Sequence, residues 1–355
     1  MAPLVDLVIA VHSAARPIER AVRSVVDHTD AQVRVTVVVH EIEPSLIADR
    51  LGELAEDSRV RLLPHSDGLR SPAGPFNAGL DAAEAPFAAV MGSDDTLEPH
   101  ALDSWLALAD DGAEVVIARL RHASGAAVPT PPVRPRHLRR LDGIRDRLSY
   151  RSAPLGLISR TRFPDLRFTV GVPTGEDIAF VTRLWFSGVS IAYDRGGPAY
   201  LIHDDADQRA TLDPRPIADE FRWLDALTSD GLLGTLSTAE RRAVVVKFLR
   251  IHLFSAILYR PDPTTWTAAE RASLVHVTRT MLTAGEGVEE VLSRLDRTLI
   301  DIALDPTVPA ERLIAAALAR RNFRSFGAMV PRNPGRVLNR EAPLRMATAS
   351  ALQFR

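Results

Sequence analysis

Residues 75–95 read Pro-Phe-Asn-Ala-Gly-Leu-Asp-Ala-Ala-Glu-Ala-Pro-Phe-Ala-Ala-Val-Met-Gly-Ser-Asp-Asp. A short helix of small residues, Pro75–Ala82, leads into a buried strand, Phe87–Met91, and Asp94 and Asp95 stand just beyond that strand's end. Ligands of open parallel sheets bind outside the carboxyl ends of the strands, so polar residues there are where chemistry is sought. Paired carboxylates at such a place are costly to desolvate unless they meet cations. A divalent metal bridging a diphosphate is a natural partner, because hard cations take oxygen ligands. The plainer alternative is a solvated turn in which Asp95 caps the helix after Thr96.

Upstream, β-branched runs alternate with amphipathic stretches. Leu4–Val11, Val33–Val39 and Arg59–Leu63 read as strands. Arg16–His28, with Ile18, Val22, Val25 and Val26 on one face, and Ser45–Ala55 read as helices. Downstream, the helix His100–Ala109 and the strand Glu114–Arg119 continue the order. Such alternation predicts an α/β fold, a doubly wound and mostly parallel sheet with helices on both faces. Residues 123–136 break the rhythm as a Pro-rich loop. After Asp213-Pro-Arg-Pro the pattern is helical, over roughly 217–228, 238–259, 267–283, 287–303 and 309–320. The expected organisation is an α/β domain over 1–212, an all-α region over 213–325 and a basic tail over 326–355.

Composition removes several chemistries. The 355 residues include no cysteine, and Lys247 is the only lysine among 43 basic residues. Thiolate nucleophiles, disulfides and Cys-ligated metals are excluded. A Walker-type loop needs a lysine after its glycines, and Lys247 follows Val244-Val-Val instead. With no glycine between the first strand and Gly52, a dinucleotide-binding loop is also excluded. A net charge of −2 gives no case for a nucleic-acid partner. The amino terminus lacks the basic region of a signal peptide, and no run reaches ~18 apolar residues. The expected location is cytoplasmic, with contact at the inner membrane face open through the basic tail.

Three further constellations stand out. Gly175-Glu176-Asp177 opens an amphipathic helix with apolar residues at 178, 181, 184 and 185; it is either a dipole partner or a carboxylate base on the rim of a site. The helix start at Asn77-Ala-Gly79 permits close approach of a ligand phosphate or sugar, or simply tight packing. His203 ends a short strand, as a structural histidine or a ligand.

In that order, from the extended residues Val8-Ile-Ala-Val-His12-Ser13 through Asn77–Asp95 to Gly175-Glu-Asp-Ile, the chain resembles the family 2 inverting glycosyltransferases of GT-A fold over about residues 3–210. The resemblance implies a nucleotide-sugar donor. It implies Mg²⁺ or Mn²⁺ held by Asp94, Asp95 and, more distantly, His203, where the family places its DxD motif. It implies Asp177 as catalytic base, with Glu176 positioning Asp177 or the acceptor. Donor contacts fall on His12, Glu41, Arg70, Asn77, Gly79, Ser93 and Asp94. The chain departs from the family pattern at Gly92, where DxD begins with aspartate, and at His40-Glu41-Ile-Glu43, where Asp-Asp-Gly-Ser is usual. Phe76 also replaces an arginine, for which Arg70 is a substitute, and Ala10 and Ser13 replace Pro and Asn. These departures keep open a different class of function, a non-catalytic scaffold that binds sugar nucleotide or an anionic polymer.

Residues 119–167 contain twelve arginines against three aspartates and no glutamate. Between the acidic pair and Asp177, this segment suits a phosphate-bearing acceptor, with Arg139 and Arg140 as contacts, or is an ordinary solvated basic face. A helical stripe of Phe248, Ile251, Phe254, Ile257 and Leu258 reads as core or as the seam of a homo-oligomer.

Overall fold

The computed structural model describes residues 2–128, 130–205 and 215–354. The expected division between 212 and 213 lies outside the described residues. Two compact units are present. The first comprises Met1–Thr130, Arg136–Asp142 and Arg151–Asp213, and the second Pro131–Pro135, Gly143–Tyr150 and Pro214–Arg355.

The first unit is built in the expected alternation. Its elements are β1 (Val5–Val11), α1 (Ile18–Val26), β2 (Val33–His40), α2 (Pro44–Leu51), β3 (Val60–His65), α3 (Ala73–Asp81), β4 (Phe87–Gly92), β5 (Thr96–Leu97), α4 (Ala101–Asp110), β6 (Val115–His122), β7 (Ala127–Val128), β8 (Gly156–Ser159), α5 (Ile178–Trp185) and β9 (Ile191–Ile202). The sheet order is β3-β2-β1-β4-β8-β6-β9-β5, with β7 beside β6. β3, β2, β1 and β4 are mutually parallel, as are β6 and β9. β8 runs antiparallel to both β4 and β6, and β5 antiparallel to β9. β1 and β2 are buried on both faces, which is why Val, Ile and Leu dominate them without a strict apolar–polar alternation.

The strand directions place the carboxyl ends of β1, β2 and β4 side by side, with Ala10 opposite both Val38 and Gly92. α3 lies close against this sheet. A Cβ at Gly79 would fall 2.2 Å from Val8 Cγ1 and 3.1 Å from Val38 Cγ2, so only glycine permits that approach. The amino ends of the strands are held by a buried ion pair. Asp6, fully buried, takes two bonds from the Arg34 guanidinium at 2.6 and 3.0 Å and two more from the backbone N–H groups of Glu84 and Ala85.

The second unit is helical. Its described elements are α6 (Ile217–Glu220), α7 (Arg222–Ser229), α8 (Leu232–Thr235), α9 (Thr238–Lys247), α10 (Phe254–Leu258), α11 (Ala268–Ala284), α12 (Arg294–Leu304), α13 (Ala310–Ala319), α14 (Phe326–Met329) and α15 (Pro343–Ala351). A wider π-helical turn over Phe248–Leu253 joins α9 to α10. Phe248, Phe254 and Ile257 are core residues, whereas Ile251 is exposed because that turn shifts it off the buried stripe. Residues 326–351 carry helices, and Glu341 and Ala342 between them are buried. No described helix is long and apolar enough to cross a membrane.

Candidate active site

The carboxyl ends of β1, β2 and β4 gather a mixed charged cluster. Arg16, two residues before α1, and Arg20, in its first turn, both reach the acidic turn. Arg16 Nη1 meets Asp94 Oδ2 at 2.7 Å, with both side chains largely buried. Arg20 Nη2 donates to the Asp94 carbonyl at 2.7 Å, and the same guanidinium pairs with Asp205 at 2.6 Å. That pairing brings the Asp205 carboxyl down to about 2. His12 follows β1. Burial and then the positive fields of Arg16, His40 and Arg70 hold its pKa below the usual histidine value, with Asp94 acting in the opposite sense. These influences put His12, Arg16, His40, Arg70 and Asp94 within one electrostatic neighbourhood.

Asp94 and Asp95 are adjacent but differently placed. Asp94 faces the arginines. Asp95 turns inward: Tyr200 donates its hydroxyl proton to Asp95 Oδ2 at 2.6 Å, and the His203 backbone N–H donates to Oδ1 at 3.1 Å. Burial raises the Asp95 carboxyl and these bonds oppose the rise. The same Tyr200 oxygen accepts from the Gly92 N–H at 2.9 Å, so Tyr200 on β9 ties the acidic turn to the opposite half of the sheet. Burial pushes its hydroxyl well above the ordinary tyrosine range. The His203 ring lies 2.9 Å from Thr96 Oγ1. Ser93 is buried.

Beyond β2 and β3 a second polar group forms. His40 Nε2 is 2.9 Å from Asp67 Oδ1, and His65 Nε2 is 3.3 Å from Asp67 Oδ2. Glu41, in the left-handed region at φ 58°, accepts from the N–H groups of Asp67 and Gly68, each at 2.7 Å. Those two bonds lower its pKa. Glu41 thus pins the loop that presents the exposed Arg70. Among the described residues His40, Glu41 and Asp67 form one group with ligand atoms close enough to share a metal ion, and Asp30, His100 and Asp103 form another. Asp94, Asp95 and His203 do not come together in this way.

Asn77 and Gly79 serve the framework. The Asn77 side-chain amide donates to the Phe168 carbonyl at 3.0 Å and accepts from the Phe168 N–H at 2.8 Å, so both ends are used. Phe168 stacks on Phe76 and Phe180 at 5.3 and 4.4 Å between centroids. Its neighbour Thr169 donates to the Glu176 carbonyl at 2.9 Å. α3 starts at Ala73, so Asn77 and Gly79 lie in mid-helix and not at the expected helix start, and Asn77 joins the middle of α3 to the loop carrying Glu176 and Asp177. Asp177 is the N-cap residue of α5, following Gly175 at φ 75°.

The arginine-rich segment is mostly engaged. Arg121 pairs with Glu98, Arg134 with Asp146, Arg139 with Asp111, Arg162 with Glu114 and Arg167 with Asp81. Arg151, 1% exposed, donates to the carbonyls of Ala118 and Leu155 at 3.1 and 3.0 Å, and burial brings it down to about 10. Arg136 and Arg140 remain exposed, both in left-handed backbone.

Residues 6–165 match the family model described as Glycosyl transferase family 2. Over that stretch the chain is similar to the family 2 glycosyltransferases. Its sequence is 35% identical over 122 residues to the succinoglycan biosynthesis protein ExoO of Rhizobium meliloti, a stretch of 33% of this chain and 33% of that protein. The chain thus spans about a third of the curated relative it matches. The S. aureus TarS 1–349 structure with UDP-GlcNAc superposes with a TM-score of 0.71 at 16% identity, covering 89% of this chain and 91% of that one. TarS 1–349 with UDP gives 0.68 at 13% identity, covering 90% and 93%. At such identities the likeness establishes the fold, a GT-A sheet followed by a helical region.

Neither Arg16, Arg20 nor Tyr200 stood out in the sequence. The first two carried a usable signal, since residues four apart at the start of the first helix lie beside a strand end. Tyr200 carried none, because its role depends on strands more than 100 residues apart meeting in one sheet.

Proposed function

We propose that this protein transfers a sugar from a nucleotide-sugar donor to an acceptor hydroxyl with inversion, in the assembly of a cell-envelope polysaccharide or glycopolymer. The observation that carries the reading is the gathering of His12, Arg16, Arg20, Arg70 and Asp94 at the ends of β1, β2 and β4 in a family 2 domain. That is where an open α/β sheet binds a ligand, and the cations suit a diphosphate. The naming of ExoO for succinoglycan biosynthesis and the UDP-GlcNAc on TarS support the class of donor and product.

In this reading the acceptor hydroxyl attacks the anomeric carbon and gives its proton to the Asp177 carboxylate, while Glu176 positions that carboxylate. The bond to the diphosphate breaks, its electron pair leaves with the diphosphate, and the sugar's configuration inverts. Asn77 and the Phe76–Phe168–Phe180 stack act indirectly, by holding the loop that bears the base. Arg140, together with Arg136, is the contact offered to a phosphate-bearing acceptor; Arg139 joins them only by giving up Asp111.

The family resemblance leads to Mg²⁺ or Mn²⁺ on Asp94, Asp95 and His203, and the residues fit that ion poorly. Asp95 is bonded at both oxygens, Asp94 is bonded to a guanidinium, and the His203 ring faces Thr96. Nucleoside-diphosphate release from a panel of sugar nucleotides tests the function. Release that Asp177→Asn reduces by ~10²–10⁴ with the fold intact is expected. No release from any donor, and indifference to that substitution, points instead to a binding scaffold.

A further inference from the structure

Going beyond the donor reading, and standing without it, we infer that the turn joining α13 to α14 is a docking surface for an anionic lipid bilayer: Phe323 and Phe326 enter the interface while Arg294, Arg321 and Arg324 meet lipid phosphates. Residues 318–326 read Leu-Ala-Arg-Arg-Asn-Phe-Arg-Ser-Phe. Leu318 is 58%, Phe323 63% and Phe326 66% exposed. Single exposed apolar residues are ordinary, but a group of them rimmed by charge marks a contact surface. The turn itself is well tied. The N–H groups of Arg321, Asn322, Phe323 and Ser325 donate to the carbonyls of Leu318, Ala319, Arg321 and Asn322 at 3.1, 3.1, 2.9 and 2.9 Å. Ser325 Oγ caps α14 by accepting from the Ala328 N–H at 3.2 Å. Leu313, Ala317 and Ala328 supply the buried side of this corner, and a Cβ at Gly327 would lie 3.1 Å from Leu295 Cγ. The local packing is complete without the two phenylalanines.

Charge names the occupant. Residues 318–345 contain seven arginines and one acid, Glu341, which is buried. Three of those arginines are spoken for, Arg320 by Asp296, Arg332 by Asp301 and Arg336 by Glu290. Arg321 and Arg324 are exposed and have no ion-pair partner among the described residues. The same holds for Arg294 at the start of α12, whose guanidinium lies over the Phe326 ring, 5.3 Å from its centroid. Uncompensated cations interleaved with apolar side chains suit a surface that offers phosphates above an apolar layer. Guanidinium forks match phosphate oxygens and keep their charge at any working pH. Phenylalanine and leucine gain by leaving water for the acyl boundary. An anionic bilayer meets both needs at once. A nucleic acid offers phosphates and stacking bases but nothing for Leu318, and the chain's net charge of −2 gives it no wider attraction.

Co-sedimentation of the full chain with vesicles tests this, using phosphatidylcholine alone and phosphatidylcholine mixed with phosphatidylglycerol. Wild-type protein is expected to sediment with the mixed vesicles only, and less at about 0.5 M salt than at low salt. Arg321→Gln with Arg324→Gln weakens binding about tenfold or more, at roughly fivefold for each arginine near a charged surface. Phe323→Ser with Phe326→Ser weakens it by about tenfold as well. Arg50→Gln with Arg279→Gln removes as much charge from exposed positions elsewhere and leaves binding unchanged. Circular dichroism establishes that each variant is folded, and the comparison of the two vesicles needs no variant at all. Equal sedimentation with both vesicles, sedimentation with neither, or an equal loss in the Arg50 and Arg279 control overturns the inference. So does binding of a single-stranded oligonucleotide, or self-association that Phe323→Ser abolishes, in place of vesicle binding. Each of these outcomes leaves the donor reading as it was, because nucleotide release tests that separately.

Discussion

Two arginine-rich regions of this molecule look alike in composition and behave oppositely. Around the acidic turn, Arg16 pairs with the Asp94 carboxylate, Arg20 in α1 binds the Asp94 carbonyl and Asp205, and Arg70 from a distant loop joins Arg16 and Asp94 in acting on His12. Across residues 119–167 the arginines are dense in sequence yet dispersed in space, and most are drawn to separate partners: Glu98, Asp146, Asp111, Glu114, Asp81 or a backbone carbonyl. Charge counted along the chain therefore misjudges both. A linear run of arginines is largely neutralised by acids brought from elsewhere, while the cation cluster at the strand ends is assembled from residues with no local excess.

The contrast can be broken most severely within the second region. The Arg134 guanidinium forms two bonds with Asp146, whose side chain is fully buried, and the Arg134 backbone N–H a third. Arg134→Ala takes the cation from that buried carboxylate and should cost about 3 kcal/mol. Denaturant unfolding measures it, and a loss under 1 kcal/mol would mean the segment's arginines are not structural. Arg151→Ala leaves the Ala118 and Leu155 carbonyls without this donor, at about 1–3 kcal/mol for each one left unsatisfied. Here thermal unfolding is the readout, and an unchanged midpoint contradicts the reading.

A smaller effect sharpens the first region. His12 titrates below 6.5 because burial and the surrounding cations favour its neutral form. A bound nucleoside diphosphate supplies the opposite charge and should raise that pKa, so binding takes up a proton and tightens as pH falls from 7.5 toward 6. Proton NMR of the imidazole with and without UDP follows the shift; a downward or absent shift places the diphosphate elsewhere. The smallest effect on stability belongs to the exposed pair. Arg139→Gln with Arg140→Gln should alter stability by no more than about 0.5 kcal/mol. If the anionic acceptor docks there, the double change weakens its binding and removes the salt dependence, measured on a phosphate-bearing polymer. Unaltered binding of that polymer removes these residues from the acceptor side.

His252, in the helical unit, extends the pH argument. It is partly buried, and its Nε2 accepts from the Lys247 ammonium at 2.8 Å. Burial, then that positive charge, holds its pKa well below 6.5. The unfolded chain thus binds the proton more readily, and stability from this group is present above pH 6.5 and falls on acidification. Unfolding midpoints at pH 7.5 and 5.5 test the sign, and His252→Gln should flatten the dependence.

Hydrophobic periodicity carried the element order from β1 through β6 except for the two-residue β5, the helical character after residue 215 and the place of the acidic turn. Each of these follows from local rules: a run of β-branched residues, a 3.6-residue spacing, a polar stop. Strand ends were legible to within a few residues, as at β1, expected over Leu4–Val11 and observed over Val5–Val11. The antiparallel strand β8 escaped, since four residues carry too little pattern and its neighbours β4 and β6 are distant in sequence.

What the sequence alone determined was therefore the alternation, the family resemblance and the residue types at the site. Which acid meets which base was decided by the tertiary structure. Asp94 and Asp95 are the same residue type at adjacent positions, and only the closure of β9 beside β6 delivers Tyr200 and His203 to one of them and leaves Arg16 to the other. Hydrogen bonds and ion pairs act over about 3 Å of space irrespective of separation along the chain, so the division of labour within the pair exists only once the sheet has formed.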